Sequence, residues 1–280
     1  MMLILLKEAF TNLKRNAPLR MAAATAFFAT FALPAILIIL IQILGLIFSR
    51  RMIGSHILEN LSNIIGPGTV AELRKTLINV RHLVTNWYIA IGGFLFLIFV
   101  STTLFAVIRD SLNELWNIQV VERHGIVELL KQRAKSLVII LLAGLLFLFV
   151  LSAEALQALL SEYFIEIWGR SNTVIEIIIN QLISLTVVSM WFSVLFRFLP
   201  DAHTDWRVAF TGGLFTGVLF TGGKLLLRLL LSYSNMQTIY GASTSMALLL
   251  LFVFYSSFIF YYGACFTRVW AKHVNRPIKG

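Results

Sequence analysis

Six long apolar runs, each separated from the next by a more polar stretch, dominate the pattern of this chain. They cover residues 21–48, 87–108, 136–160, 173–199, 207–231 and 240–267. A bilayer core of roughly 30 Å is crossed by about 20 apolar residues in helical form, and every run is long enough. Two other stretches are apolar on one side only. In residues 1–17, Leu3, Leu6, Phe10 and Leu13 share a helical face, with Lys7, Lys14 and Arg15 elsewhere. This predicts an amphipathic helix at the cytoplasmic surface. Residues 49–86 read as an external loop broken at Gly66-Pro67-Gly68, with Thr69 and Glu72 as a capping box. Val70, Leu73, Leu77, Val80 and Val84 then follow at helical spacing, which predicts a second surface helix. The predicted fold is all-α: one integral-membrane domain over 1–280, with six transmembrane helices plus amphipathic surface helices.

Composition sharpens this picture. The chain is 59% hydrophobic and 13% charged, against about 25% charged in soluble domains. The formal net charge is +10, but no basic patch with interleaved aromatics stands apart from the helix ends, so nucleic acid is not an expected partner. Basic residues in a polytopic protein instead set orientation. Fifteen of the 23 Lys and Arg fall in the N-terminus, 109–135, 197–207 and 268–280. This bias predicts both termini on the cytoplasmic side. Five of the other eight lie in the first loop and weaken the bias. The opening Met-Met-Leu-Ile-Leu-Leu is too short for a cleaved signal and runs directly into charge. The single cysteine, Cys265, excludes an internal disulfide and a multi-cysteine metal site.

Small residues predict how the helices meet. Ala209, Gly213, Gly217 and Thr221 recur every four residues and so share one helix face, where another backbone can approach closely. The stripe predicts that this helix sits inside the bundle rather than facing lipid. Pro34 falls within the first long run and predicts a kink. Pro200, Trp206, Gly212, Gly223-Lys224, Tyr240-Gly241-Ala242 and Gly263-Ala264 form a series that resembles the YihY/BrkB family of bacterial inner-membrane proteins, once mislabelled as ribonuclease BN. Weaker agreement extends to Ala22, Ala23, Pro34, Leu112, Asn113 and Trp116. The resemblance implies six membrane helices in a bacterial inner membrane and no settled activity. It leads one to expect Glu after Gly263-Ala264, where this chain has Cys265.

Candidate chemistry rests on polar residues within the runs. Glu154 and Glu176 fall toward the outer third, with Lys224 and Arg228 one turn apart on one face. Gln42, Gln157, Asn180 and Gln181 stand at comparable predicted depth. A charge at a helix centre costs about 2.5–3.5 kcal/mol on insertion scales, so such residues turn to the bundle interior or to water. Two readings follow. Lys224, Arg228, Glu154, Glu176, Gln42, Asn180 and Gln181 line an outward-opening cavity for a small anionic or amphiphilic solute or a lipid. Alternatively, the basic side chains snorkel to head groups and the protein is an envelope scaffold, its glycine stripe joining copies or partners. Ser101-Thr102-Thr103 read as back-bonded to their own helix. Arg109, Asp110, Arg197, Asp201, Asp205, Arg207 and Arg268 form a predicted collar of helix-end ion pairs. The aromatics of the last run, Tyr255 among them, read as packing and interface anchors. His56, His82, His124, His203 and His273 show no ligand spacing, and no Walker loop or nucleophile elbow is present. No metal, no cofactor and no enzyme activity are expected.

Overall fold

A computed structural model describes residues 2–44, 58–59, 62, 68, 70–71, 73–75, 87–118, 134, 138, 173–233 and 244–278. Six helices have described bounds: α1 Met2–Arg15, α2 Pro18–Leu44, α3 Trp87–Trp116, α4 Thr173–Phe198, α5 Trp206–Tyr233 and α6 Thr244–His273. All regular elements of any length among the described residues are helical. The predicted span 136–160, with Glu154 and Gln157, and most of the predicted loop 49–86 lie outside the described residues. Two helical stretches, Trp206–Leu226 and Met246–His273, are long and apolar enough to cross a membrane.

Local chemistry explains the helix ends. Pro18 opens α2, where its missing N–H would have no helical partner anyway. The helix then runs through Pro34 without an assigned break. α3 closes on Asn117 in the left-handed region (φ 52°), and α6 closes on Asn275 in the same way (φ 54°). Each uses the paired bonds of a Schellman motif: Ile118 N–H to Asn113 O, and Arg276 N–H to Ala271 O, both at 2.9 Å. Asp205 caps α5, where the backbone N–H of Arg207 donates to its Oδ1 at 3.3 Å. α3 reaches eight residues beyond Ile108. Its added turns bury Leu112, Asn113, Leu115 and Trp116, and Arg109 does not end it because nearby carboxylates receive its charge.

α6 is the central post. It packs against α1, α2, α3 and α5, while α4 and α5 form the tightest pair. The main core gathers at the end where α1 crosses, around Leu13, Leu112, Phe196, Phe260, Tyr261 and Phe266. Phe196 stacks on Phe260 at 5.1 Å between centroids, and Phe215 stacks on Phe266 at 4.0 Å.

Two expectations are corrected. The buried face of α1 is Leu5, Ala9 and Leu13, while Leu3 is 80% exposed and Phe10 lies under Lys14 at the rim. The reason is α6: Tyr262 donates a hydrogen bond to Leu6 O at 3.2 Å and meets Phe10 edge-on, which rotates the helix away from the most apolar face. The second correction concerns α5. It is peripheral, with Trp206, Phe210, Leu214 and Val218 exposed at four-residue spacing opposite its small residues. Small residues draw two neighbours close but cover only part of the circumference; large apolar residues occupy the rest. With Phe27, Phe31, Phe96, Phe99 and Leu251 also exposed, the bundle presents an outer apolar surface suited to lipid.

Candidate functional site

The α5 interfaces fix the level of every candidate residue on this side of the bundle. An added Cβ at Gly212 would fall on Thr267 Oγ1, and one at Gly263 would fall on Thr216 Oγ1. Thr216 in turn donates to Gly212 O, and Thr267 to Gly263 O, both at 2.7 Å. Each threonine is thus satisfied by a carbonyl of its own helix and seated on the glycine of the other. On the second face, a Cβ at Gly213 would strike Ser193 Oγ and Ser189 O, and one at Gly217 would strike Ser189 Oγ. Ser193 donates to Ser189 O at 2.7 Å. Ala209, Gly213 and Gly217 are buried within the chain by these contacts, and Thr221 is half-buried.

Those contacts set two antiparallel registers. Ser189 lies between Gly213 and Gly217, so residue 180 of α4 lies level with Lys224 and residue 176 with Arg228. Thr216 against Gly263, and Gly212 against Thr267, place Tyr255 of α6 level with Lys224 as well. Gly223 agrees, since an added Cβ there would fall on the Tyr255 hydroxyl. One layer therefore holds Asn180, Lys224 and Tyr255, with Glu176 and Arg228 one turn farther along α4 and α5. Lys224 is half-buried, 18 residues into α5, or about 27 Å along its axis. Three buried hydroxyls, Ser189 Oγ, Thr204 Oγ1 and Tyr255 Oη, have no hydrogen-bond partner among the described residues, and of these Tyr255 is the one level with Lys224. Gly222, beside Lys224, has nothing within 4 Å of an added Cβ.

The remaining predicted residues are distributed differently. Gln181 is exposed. Gln42 does not share the layer: Thr25 and Tyr261 hydroxyls meet at 2.6 Å, and that register carries Gln42 about 16 Å beyond Tyr255. Position along an apolar run does not fix the level at which α2 packs on α6. Glu154 lies outside the described residues, as do the side chains of Gln42, Glu176, Asn180 and Arg228. Tyr255 does not stand out in sequence as a site residue because it is one of nine aromatics of one helix. The signal was the pairing of that hydroxyl with Gly223, visible only once the register is known.

At the opposite end of the bundle the polar residues pair with one another. Arg109, 7% exposed, donates to Asp110 Oδ1 from Nε and Nη2, each at 3.0 Å, and lies 3.5 Å from Asp201 Oδ2. Asn113 Nδ2 donates to Asp201 Oδ2 at 2.9 Å, and Asp201 N–H returns a bond to Asn113 Oδ1 at 3.0 Å. This reciprocal pair clamps α3 to the α4–α5 turn. Asp205 binds Arg276, whose hydrogen bond, followed by that from the Arg207 backbone, holds its carboxyl below the usual range. Arg197 lies over the Trp206 ring at 5.6 Å. Arg268 donates to Leu115 O at 2.6 Å, and Trp116 Nε1 to Ala264 O at 3.0 Å. Thr102 and Thr103 bond back to Phe99 O, and Cys265 is buried. Among the described residues no group of His, Cys, Asp and Glu could hold a metal, and His203 is exposed.

Comparison with known proteins follows the same bounds. The family described as Virulence factor BrkB matches residues 9–279. A UPF0761 membrane protein of Pseudomonas paraeruginosa (strain DSM 24068 / PA7) is 26% identical over 269 residues, covering 92% of this chain and 62% of the relative. Another, from Pseudomonas aeruginosa (strain LESB58), is 26% identical over 262 residues, covering 90% of this chain and 60% of the relative. The chain thus spans about three fifths of the length of these curated relatives. No solved structure matches. With its family match running nearly end to end and an apolar outer surface to fit, this chain is a membrane protein of the YihY/BrkB family.

Proposed function

We propose that the protein binds, and moves or presents, a small anionic or amphiphilic solute or a membrane lipid at the Lys224 layer. It does so as a six-span inner-membrane protein with both ends cytoplasmic, so that the layer belongs to an outward-opening cavity. The reading supposes no catalytic step and no ribonuclease activity. One observation carries it: a half-buried lysine far along an apolar helix stands level with a buried tyrosine hydroxyl that has no partner among the described residues. A buried polar group without a partner costs about 1–3 kcal/mol, which a phosphate or carboxylate oxygen accepting from both side chains would offset. The scaffold reading needs the glycine stripe at a subunit contact. Gly213 and Gly217 are already in van der Waals contact with α4 of the same chain, which favours the first reading.

Native mass spectrometry of protein purified with its own lipids tests this. Wild type is expected to retain an anionic lipid or solute that Lys224→Gln loses and Tyr255→Phe holds less tightly. Identical spectra for all three proteins would sink the proposal.

A further inference from the structure

A cavity of about 320 Å³ opens at the other end of the bundle, between α1 and the last turns of α3 and α6. Arg15, Arg268 and Lys272 line it together with Asn12 and Asn117, and Glu8 is the one acidic residue of the lining among the described residues. Cations in last turns ordinarily offset helix dipoles, and Arg15 and Lys272 stand at such positions. Here, however, three cations from two helices converge on one concavity. Arg268 gives Nη1 to Leu115 O, and with the Asn117 amide turned to accept, Nη2 donates to its Oδ1 at 2.9 Å. Neutral oxygens satisfy those N–H groups, and among the described residues no carboxylate pairs with this guanidinium. Three cations against Glu8 give the lining a formal excess of two positive charges, and the Asn12 amide adds a neutral donor. The volume falls within the range of small-ligand sites.

We propose that this cavity binds a phosphate group, carried either by an anionic lipid head group or by a soluble phosphate. Arg15 and Lys272 supply the movable donors, while Arg268, fixed by its carbonyls, supplies a charge at the floor. Guanidinium and ammonium groups are the usual partners of phosphate oxygens. The site is independent of the Lys224 layer, being lined by α1 and by the opposite ends of the helices.

Isothermal titration of the full-length protein in detergent tests it, with inorganic phosphate and dihexanoyl phosphatidic acid as probes. Wild type is expected to bind at least one probe saturably, and Arg15→Gln/Lys272→Gln at least tenfold more weakly. The comparison is repeated in a Lys224→Gln background, where the weakening by Arg15→Gln/Lys272→Gln should persist, which separates this site from the membrane layer. Tighter binding of phosphatidic acid than of phosphate assigns the lipid source; equal or weaker binding assigns soluble phosphate. Absence of saturable binding, or equal binding by the double variant, overturns the proposal. Should the double variant misfold, Asn12→Cys in the otherwise unchanged chain decides. Its labelling by a charged maleimide should slow at least fivefold with probe present, against a silent background from buried Cys265. Unaltered labelling overturns it.

Discussion

The two ends of α5 differ in the polar groups they hold, although each buries one hydroxyl without a partner among the described residues, Thr204 Oγ1 at the Asp205 end and Tyr255 Oη at the Lys224 end. At the Asp205 end the collar groups find partners within the protein: Asp201 with Asn113 and Arg109, Asp205 with Arg276, and Arg268 with Leu115 O. At the Lys224 end the hydroxyl without a partner among the described residues, that of Tyr255 against Gly223, stands level with a lysine. Both ends belong to one helix with one kind of packing, so helix propensity does not explain the difference. A bundle closes most polar groups where they only hold helices together, because leaving them open costs stability. An open group level with a lysine is a cost that ligand binding can offset. The comparison therefore rests on the lysine at the level of the open hydroxyl, not on the open hydroxyl alone.

The packing between these ends should be the hardest to disturb. Gly213→Val drives a branched side chain onto Ser189 O, a backbone atom that cannot rotate away. The expected loss is about 3 kcal/mol, the upper end for overpacking, read as reduced folded yield and earlier thermal unfolding in detergent. Breaking the clamp at the closed end is expected to cost less. Asn113→Ala removes both bonds to Asp201, but that carboxylate is 35% exposed and regains water, so about 1–2 kcal/mol should be lost by the same measurement. Gly222→Ala should reverse the sign, since nothing lies within 4 Å; helix propensity alone gives a gain of up to about 1 kcal/mol. A loss there would mean that this side of α5 is packed after all.

How much of this was legible in sequence depends on the kind of signal. The helical class, the α5 run and the small-residue stripe follow from composition and spacing, because they depend on residues close along the chain. Family membership was readable from Pro200, Trp206, Gly223-Lys224 and Gly263-Ala264, and the family match runs through all of them. The face of α1 was misread because Tyr262, some 250 positions away, decides its rotation. The Asn113–Asp201 clamp, the interlocked Gly212/Thr216 and Gly263/Thr267, and the Tyr255 hydroxyl were hidden for the same reason. Each is a contact between distant segments whose register no local pattern sets. Gln42 fell out of the candidate layer on that account too.

The smallest effect concerns pH at the closed end. The Asp205 carboxyl is held below its ordinary range by Arg276, so the contact stabilises the fold above the ordinary carboxylate pKa and is lost as pH falls through the lowered value. Because the pair is exposed and screened, the readout should be local. A spin label at Pro277 is expected to gain mobility only below about pH 4, and Asp205→Asn should be mobile at every pH. A label already mobile in the wild type at pH 7 would show that the Asp205–Arg276 contact does not hold the tail.

The comparison between the ends is tested most directly by water accessibility of single cysteines in the membrane-embedded protein. Cysteines placed at Asn180 and Lys224 would be compared with others at Ser193 and Thr216, using a charged, membrane-impermeant maleimide. The account predicts rapid labelling at 180 and 224 and little at 193 and 216. Labelling at 180 and 224 as slow as at 193 would contradict it, and would leave Lys224 as a lipid-facing anchor.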